Sequence, residues 1–401
     1  MRPYGLNSLD WRLSCAVNLP DIERSETNTM SRRKLTLGVI AAAQWTVAMA
    51  ASAQLPPANQ PDKTLTPEVR AEVINSATKQ LSEKYIFPET ARKMDQALHD
   101  RLKNHEYDSV TSSKAFADLL TSHLQAVSHD KHLRVRFSYD VMPTRTNEEP
   151  TAAEIEQFKA YNRAMNYGFE QVQRLTGNIG YLDLHGFLDP ETGGDTVAAA
   201  MTLLSNTDAM IIDLRQNGGG SPEMVQLICS YLFEGEPVHL NDLYFRPTDS
   251  THQYWTLPHV PGKRYVGKDV YVLTSHRTFS GAEEFSYNLK NLKRATLVGE
   301  TTGGGAHPGD MVRLNDHFGM FLPVGRAINP ITKTNWEGTG VTPHVACPAD
   351  QALKIAHISA LKKVIGVEKD PDRKVNLSAA LQGLEKELEI LKSAKPSQVA
   401  Q

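Results

Sequence analysis

The sequence predicts an α/β fold in which buried strands lead into amphipathic helices. The apolar run 270–273 is followed, after a polar turn, by Ser280 and by apolar residues spaced three and four apart, which is typical of a strand leading into a helix. The apolar run 210–214 leads through a glycine-rich turn into a second helical pattern. A purely helical pattern before residue 128 places a small helical region in front of this α/β part.

The beginning of the chain is expected to be removed or to lie outside the folded part. Residues 1–29 show no periodicity, whereas Met30 opens a basic segment, an apolar run and a small-residue end, the pattern of a secretory signal peptide. The apolar run is short for a membrane span and contains Gln44. We therefore expect translation from Met30 and export to the periplasm or the medium. Residues 1–29 would be an over-extended gene reading, 30–53 the signal peptide and 54–62 a flexible leader.

Residues 63–140 are predicted to form a small N-terminal helical domain that ends in a short strand. Apolar side chains recur every three or four residues through three segments, and each segment begins with residues that are typical of helix starts. These starting residues are Thr66 with Pro67, Pro88, and Ser112 or Ser113.

The turn that joins the third helix to the strand carries His129, Asp130 and His132. His129 is predicted to be a solvated turn residue, whereas His132 borders the apolar strand and is a candidate base that reaches into a cleft. The three side chains could instead bind a metal, but no further cluster of ligands supports that alternative. We therefore predict neither a metal nor a cofactor.

Residues 141–366 are predicted to form the main domain, and residues 367–401 a charged tail with an appended helix. Within the main domain, the glycine-rich turn 215–222 could bind an anion through its backbone N–H groups. The turn lacks the glycine spacing and the lysine of nucleotide-binding loops, so an oxyanion hole is favoured over a nucleotide site. A tight turn that needs glycine conformations is the structural alternative.

Ser280 is the candidate nucleophile, because it lies where a strand gives way to a helix. Its hydroxyl would lie beside unpaired N–H groups at the positive end of the helix dipole, where a developing oxyanion is stabilised. A serine in this position can equally be an ordinary helix N-cap. Glu337, in a glycine-rich loop, is a candidate carboxylate for the same site or else a solvated loop charge.

Composition excludes one class of partner and leaves two questions open. The net charge is −3 and no basic face is visible, which argues against nucleic-acid binding. Cys229 and Cys347 lie beyond the predicted signal peptide, and the sequence does not decide whether they form a disulfide. Homo-oligomerisation is also left open.

Six short motifs follow one another in a characteristic order. They are residues 130–132, 177–181 with Phe187, 213–220, 280–283, 299–301 and 338–343. This order, over roughly residues 65–365, resembles the tail-specific or C-terminal processing serine peptidase family. The resemblance implies a crotonase-like β/α spiral core, polypeptide substrates, Ser280 as nucleophile, and oxyanion donors at Gly281 and at Gly218 and Gly219. The interval between Phe137 and Gly177 is too short for the PDZ domain of the family, so we predict none.

One departure from the lysine branch places the chain nearer another branch of that family. The lysine branch supplies its base from a Gly-Lys-Gly loop, whereas residues 303–305 here are all glycine. The chain resembles instead the branch of the tricorn core protease and the interphotoreceptor retinoid-binding protein. In the tricorn type the base is a histidine, which corresponds to His132, and a glutamate supports it, which corresponds to Glu337. Lys131 stands where the tricorn type has serine, so Glu337 is expected either to meet His132 directly or to pair with Lys131 and orient the turn indirectly.

Two functions are compatible with these observations. One is an exported serine endopeptidase that works through an acyl-enzyme, with Ser280 as nucleophile and His132 as base. The other is a non-catalytic binding protein for an apolar ligand of the retinoid or fatty-acid type on the same fold. The joint presence of Ser280, His132 and Glu337 favours the enzyme.

Overall fold

The computed structural model describes residues 60–143 and 151–393, so the predicted extension, the signal peptide and most of the leader lie outside the described residues. Among the described residues, no helix combines the length and the apolar character needed to cross a membrane.

The predicted helical region consists of three helices and a strand. The capping predictions are confirmed at two helix starts, because the Thr66 and Ser112 side chains accept hydrogen bonds from the N–H groups of Val69 and Ala115. The last helix ends at His129, whose φ of 56° lies in the left-handed region that often terminates helices. The elements are α1 (Pro67–Lys84), α2 (Pro88–Lys103), α3 (Ser113–Ser128) and β1 (Arg134–Phe137).

The remaining described residues combine strands and helices. In chain order they are α4 (Ala152–Ala164), β2 (Phe169–Leu175), β3 (Ile179–Leu184), α5 (Pro190–Leu204), β4 (Ala209–Asp213), α6 (Pro222–Leu232), β5 (His239–Phe245), β6 (Ser250–Trp255), β7 (Asp269–Thr274), α7 (Gly281–Asn291), β8 (Thr296–Gly299), β9 (Gly309–Arg313), β10 (Phe318–Pro323), β11 (Gly325–Ile328), β12 (Val345–Ala346), α8 (Ala349–Val367) and α9 (Pro371–Ser393). Strands β3, β4 and β7 each lead into a helix, as the sequence predicts for β4 and β7. The predicted α/β fold is confirmed.

A six-stranded sheet in the order β12-β8-β7-β4-β3-β2 forms the centre of the fold. All neighbours are parallel except β2 and β3, and β4 is buried along its whole length, as is usual for parallel strands covered on both faces. Asp213 at the end of β4 is in register with Leu273 near the end of β7. The glycine-rich turn after β4 and the Ser280 turn after β7 therefore lie at the same edge of the sheet, where ligands bind in open α/β folds.

Two small antiparallel sheets complete the fold, in the orders β1-β10-β9 and β11-β5-β6. Since β1 pairs with β10, the helical region shares a sheet with the main part, and one buried apolar cluster extends from Leu65 to Val341. A second cluster lies between the central sheet and α8, and Leu377 of α9 packs into it. The predicted helix of the tail thus packs against α8.

Several detailed expectations can be compared with the structure. The described residues between β1 and β3 form α4, a 3-10 turn (Asn166–Gly168) and β2, so no PDZ domain is evident among them. β2 begins at Phe169, because the positive φ of Tyr167, 54°, belongs to the preceding turn. Cys229 and Cys347 are free thiols, so they form no disulfide with each other.

Candidate active site

Ser280 occupies a strained turn between β7 and α7. Its φ of 55° and ψ of −121° lie in a region that residues with a side chain rarely adopt, and such strain is concentrated at functional sites. The backbone of Gly219 lies directly against this turn, since a Cβ on Gly219 would be 2.8 Å from both the Ser280 Cβ and the Gly281 N. The glycine at position 219 therefore allows the turn after β4 to approach the candidate nucleophile.

Glu283 holds the Ser280 turn to the glycine loop 303–305. Its two carboxylate oxygens accept four hydrogen bonds, which come from the Thr302 hydroxyl and from the N–H groups of Ser280 (2.9 Å), Gly304 (2.6 Å) and Gly305 (2.8 Å). Burial raises the pKa of Glu283, and these donors oppose the rise because they stabilise the anion. The Glu283 carboxylate thus holds the Ser280 turn and the glycine loop 303–305 together.

The three glycines predicted as oxyanion donors differ in how their N–H groups are used. The N–H of Gly219 donates to the Asn217 side chain at 2.8 Å, and Asn217 in turn donates to the Leu184 carbonyl at 2.9 Å. The N–H groups of Gly218 and Gly281 have no partner among the described residues. Gly281 is the first residue of α7, where the helix dipole favours negative charge.

His132 lies in an aromatic environment next to the nucleophile turn. Its ring centroid is 4.5 Å from that of Phe279, the residue before Ser280, and 5.7 Å from that of Phe321. Burial lowers the pKa of His132 to about 4, although the Asp130 carboxylate works in the opposite direction. The imidazole is therefore neutral at physiological pH. Its Nδ1 is buried and has no hydrogen-bond partner among the described residues.

Glu337 lies beside this imidazole. A carboxylate oxygen of Asp130, a ring nitrogen of His132 and a carboxylate oxygen of Glu337 all lie within 4.8 Å of one another. The Glu337 Oε2 accepts a hydrogen bond from the Ala306 N–H, whereas its Oε1 is buried without a partner among the described residues. Burial raises the pKa of Glu337 to about 7. The Glu337 Oε1 and the His132 Nδ1, both without a hydrogen-bond partner among the described residues, thus belong to the same group of three side chains.

Lys131 does not intervene between these two side chains. Its Nζ donates to the Gly303 carbonyl at 2.6 Å. His129, the other histidine of the turn, is exposed and does not belong to the group of three. Asp130, His132 and Glu337 also have the residue types and spacing to hold a metal ion. Both Asp130 oxygens, however, already accept hydrogen bonds from protein groups.

Two buried groups of the site were given no role from the sequence alone. His307 donates from Nδ1 to the Asp130 Oδ2 at 2.8 Å, although 177 positions separate the two residues and no local motif connects them. Glu283, in contrast, follows Ser280 by three residues, and a serine followed at that spacing by glutamate is the signature of a helix capping box. That signal could have identified the bond from the Ser280 N–H.

Two protein-family models match most of the described chain. The family described as peptidase family S41 matches residues 178–347, and the N-terminal domain of peptidase family S41 in eukaryotic IRBP matches residues 64–171. The chloroplastic carboxyl-terminal-processing peptidase 2 of Arabidopsis thaliana is 30% identical over 179 residues, which cover 42% of this chain and 32% of the relative. The tail-specific protease of Haemophilus influenzae is 29% identical over 103 residues, or 24% of this chain and 13% of the relative.

The match to these curated relatives therefore spans about a third of their length or less. Among solved structures, mature CPAF superposes with a TM-score of 0.52 at 14% identity, covering 82% of this chain and 99% of that one. This likeness supports the fold alone.

Proposed function

Because the chain belongs to peptidase family S41, we propose that it is a serine endopeptidase with Ser280 as nucleophile, His132 as base and Glu337 as the supporting carboxylate. The observation that carries the proposal is the position of His132. Its ring contacts the residue before Ser280 on one side, and one of its nitrogens lies within 4.8 Å of a Glu337 carboxylate oxygen.

The proposed reaction uses each of these groups in turn. The neutral His132 imidazole accepts the Ser280 proton as the hydroxyl oxygen attacks the peptide carbonyl, and then returns that proton to the leaving amine. Glu337 stabilises the imidazolium that forms between these steps. Water then attacks the acyl-enzyme, with His132 again as base. The low pKa of His132, about 4, keeps the base unprotonated at neutral pH.

The oxyanion of the tetrahedral intermediate would be stabilised by the N–H groups of Gly281 and Gly218. Each such donor is worth about 3 kcal/mol of transition-state stabilisation. Gly219 would contribute close approach to Ser280 rather than a free donor, because its N–H is held by Asn217.

The relatives suggest a substrate class and a location. Their names describe carboxyl-terminal processing and tail-specific proteolysis, so we propose that this chain cleaves polypeptides near their C-termini. The signal pattern after Met30 supports export. N-terminal sequencing of the exported protein should find Gln54 as the first residue, and an exported chain that retains residues 1–29 would contradict this.

A fluorophosphonate probe tests the mechanism without knowledge of the natural substrate. We expect the probe to label Ser280 in the native protein and to label nothing in Ser280→Ala. His132→Ala should slow labelling by at least about 100-fold, the usual contribution of a general base. His129→Ala is the matched control, because it removes a histidine of the same turn that lies outside the site. Equal loss in the two histidine variants, or labelling at another residue, would refute the assignment.

A further inference from the structure

We propose that His307 is a positioning residue of this site, which through one ring N–H holds both Asp130, the anchor of the His132 main chain, and the supporting carboxylate of Glu337. The inference rests on the proposed function, because it concerns how the proposed base and its carboxylate are kept in place.

Asp130 holds the main chain of the turn that carries His132. Asp130 is 1% exposed, and its Oδ1 accepts the main-chain N–H of His132 at 3.0 Å. Its Oδ2 accepts hydrogen bonds from the His307 Nδ1 at 2.8 Å and from the Tyr85 hydroxyl at 3.2 Å. A buried carboxylate with several donors has a fixed orientation, so the turn that carries His132 is anchored to the loop that carries His307.

His307 also contacts Glu337. The same His307 Nδ1 that bonds Asp130 lies 3.5 Å from the Glu337 Oε2. The Ala306 N–H, from the residue before His307, donates to that oxygen. His307 and Ala306 therefore supply the two donors near the Glu337 Oε2. The Glu337 Oε1 has no partner among the described residues.

The charged groups around Glu337 influence its pKa. The titratable groups that face Glu337 are His307, Asp130, Glu283, His132 and Tyr85. The carboxylates of Asp130 and Glu283 raise the pKa of Glu337, whereas His307 lowers it. Burial raises the pKa of Glu337, and with the opposing effect of His307 included it lies at about 7, so loss of His307 would lower the ionised fraction of Glu337 near neutral pH.

The ring of His307 is itself held rigidly. Its side chain is 7% exposed, and the Phe87 ring packs edge-on against it with centroids 5.3 Å apart. Phe87 and Tyr85 both come from the segment between α1 and α2. The N-terminal helical region thus supplies two side chains that support the network.

The experiment compares two substitutions that differ in where they place an amide. His307→Asn puts its N–H donors near the position of Nδ1, whereas His307→Gln puts them near Nε2. The rate of fluorophosphonate labelling at Ser280 is measured against pH for both variants. In His307→Gln we expect the acid limb to move up by about one pH unit, which corresponds to roughly a fivefold loss at pH 7 from ionisation alone. His307→Asn retains an N–H donor near Asp130 but carries no charge, so it should keep most of the native rate above the acid limb while the limb itself also moves up.

Two further variants separate positioning from general damage. His99→Leu is the control, because the His99 Nδ1 makes a comparable 2.9 Å contact with Asp95 on the surface of α2, and its profile should match the native one. In a Glu337→Gln background, His307→Gln should shift the acid limb no further. Circular dichroism and thermal melting establish that each variant is folded.

The outcomes are distinguishable from failure of the proposed function. A labelled native protein together with an unshifted acid limb in His307→Gln overturns the role of His307 and leaves the peptidase assignment intact. A uniform loss of rate with no shift also overturns it, because that would be purely structural damage. If the native protein is not labelled at Ser280, the proposed function fails and the inference fails with it.

Discussion

Gly305→Ala should inactivate the protein by displacing the proposed base. A Cβ on Gly305 would lie 2.2 and 2.5 Å from two atoms of the Phe279 ring and 2.6 Å from the His132 Cε1. The backbone has little freedom to retreat, because the Gly305 N–H is bound by Glu283 at 2.8 Å and its carbonyl accepts from the Trp336 indole at 2.6 Å. The rings must therefore move.

The size of the effect follows from these distances. Non-bonded carbon atoms are normally about 3.5–4.0 Å apart, so each ring must shift by about 1 Å. Misplacement of a catalytic group by about 1 Å costs roughly 100-fold in rate. Overpacking of this kind costs about 1–3 kcal/mol of folding free energy, which a stable domain of this size tolerates. We expect a folded protein with a slightly lower melting temperature and a labelling rate reduced by about two orders of magnitude.

Gly303→Ala is the matched control for this prediction. Its Cβ would meet the Phe279 ring at 2.7 Å, but no atom of His132 is among its three nearest neighbours. Labelling rates with fluorophosphonate and thermal melts of both variants give the comparison. If Gly305→Ala reacts at the native rate, or if both variants lose the same activity, then the position of His132 does not control the reaction and our reasoning is refuted.

Two further predictions concern pH. Glu337→Gln should move the acid limb of labelling to lower pH, because it removes a group with a pKa of about 7 and leaves His132, whose pKa is about 4. Lys131→Ala should leave the limb where it is, because Lys131 bonds the Gly303 carbonyl, and a shifted limb in this variant would contradict that contact. Burial raises the pKa of Glu284 from 4.5 to about 8, so folding takes up a proton and native stability falls as pH rises through that window. Glu284→Gln should therefore gain melting temperature relative to the native protein between pH 5 and pH 8.5, and a constant difference would exclude this cause.

Features that depend on neighbouring positions in the chain were predictable. The strand and helix periods around Ser280, the glycine turn after β4 and the helix caps at Thr66 and Ser112 are local patterns, and the structure contains each of them. The charged tail with its appended helix was also recognisable, and the helix spans Pro371–Ser393.

The supporting network was not predictable in the same way. Asp130 was recognised only as part of a turn, because its partners Tyr85 and His307 lie 45 and 177 positions away. Nothing in the sequence near a lone histidine specifies which distant carboxylate it will meet. The arrangement of Glu337 and Lys131 was likewise left open, because it depends on how two loops from different sheets fold over each other.

The glycine loop opposite Glu283 bears on how this branch could have diverged from peptidases with a lysine base. Gly304 has a φ of 83°, and a Cβ there would lie 3.0 Å from the Gly340 N and 3.2 Å from atoms of Gly338 and Thr339. A lysine at this position would be conformationally strained and would displace the segment that carries Glu337. Replacing Gly304 alone is therefore not expected to exchange the proposed His132 base for a lysine. We expect such an exchange to require changes in the main chain of both loops, 303–305 and the segment that carries Glu337.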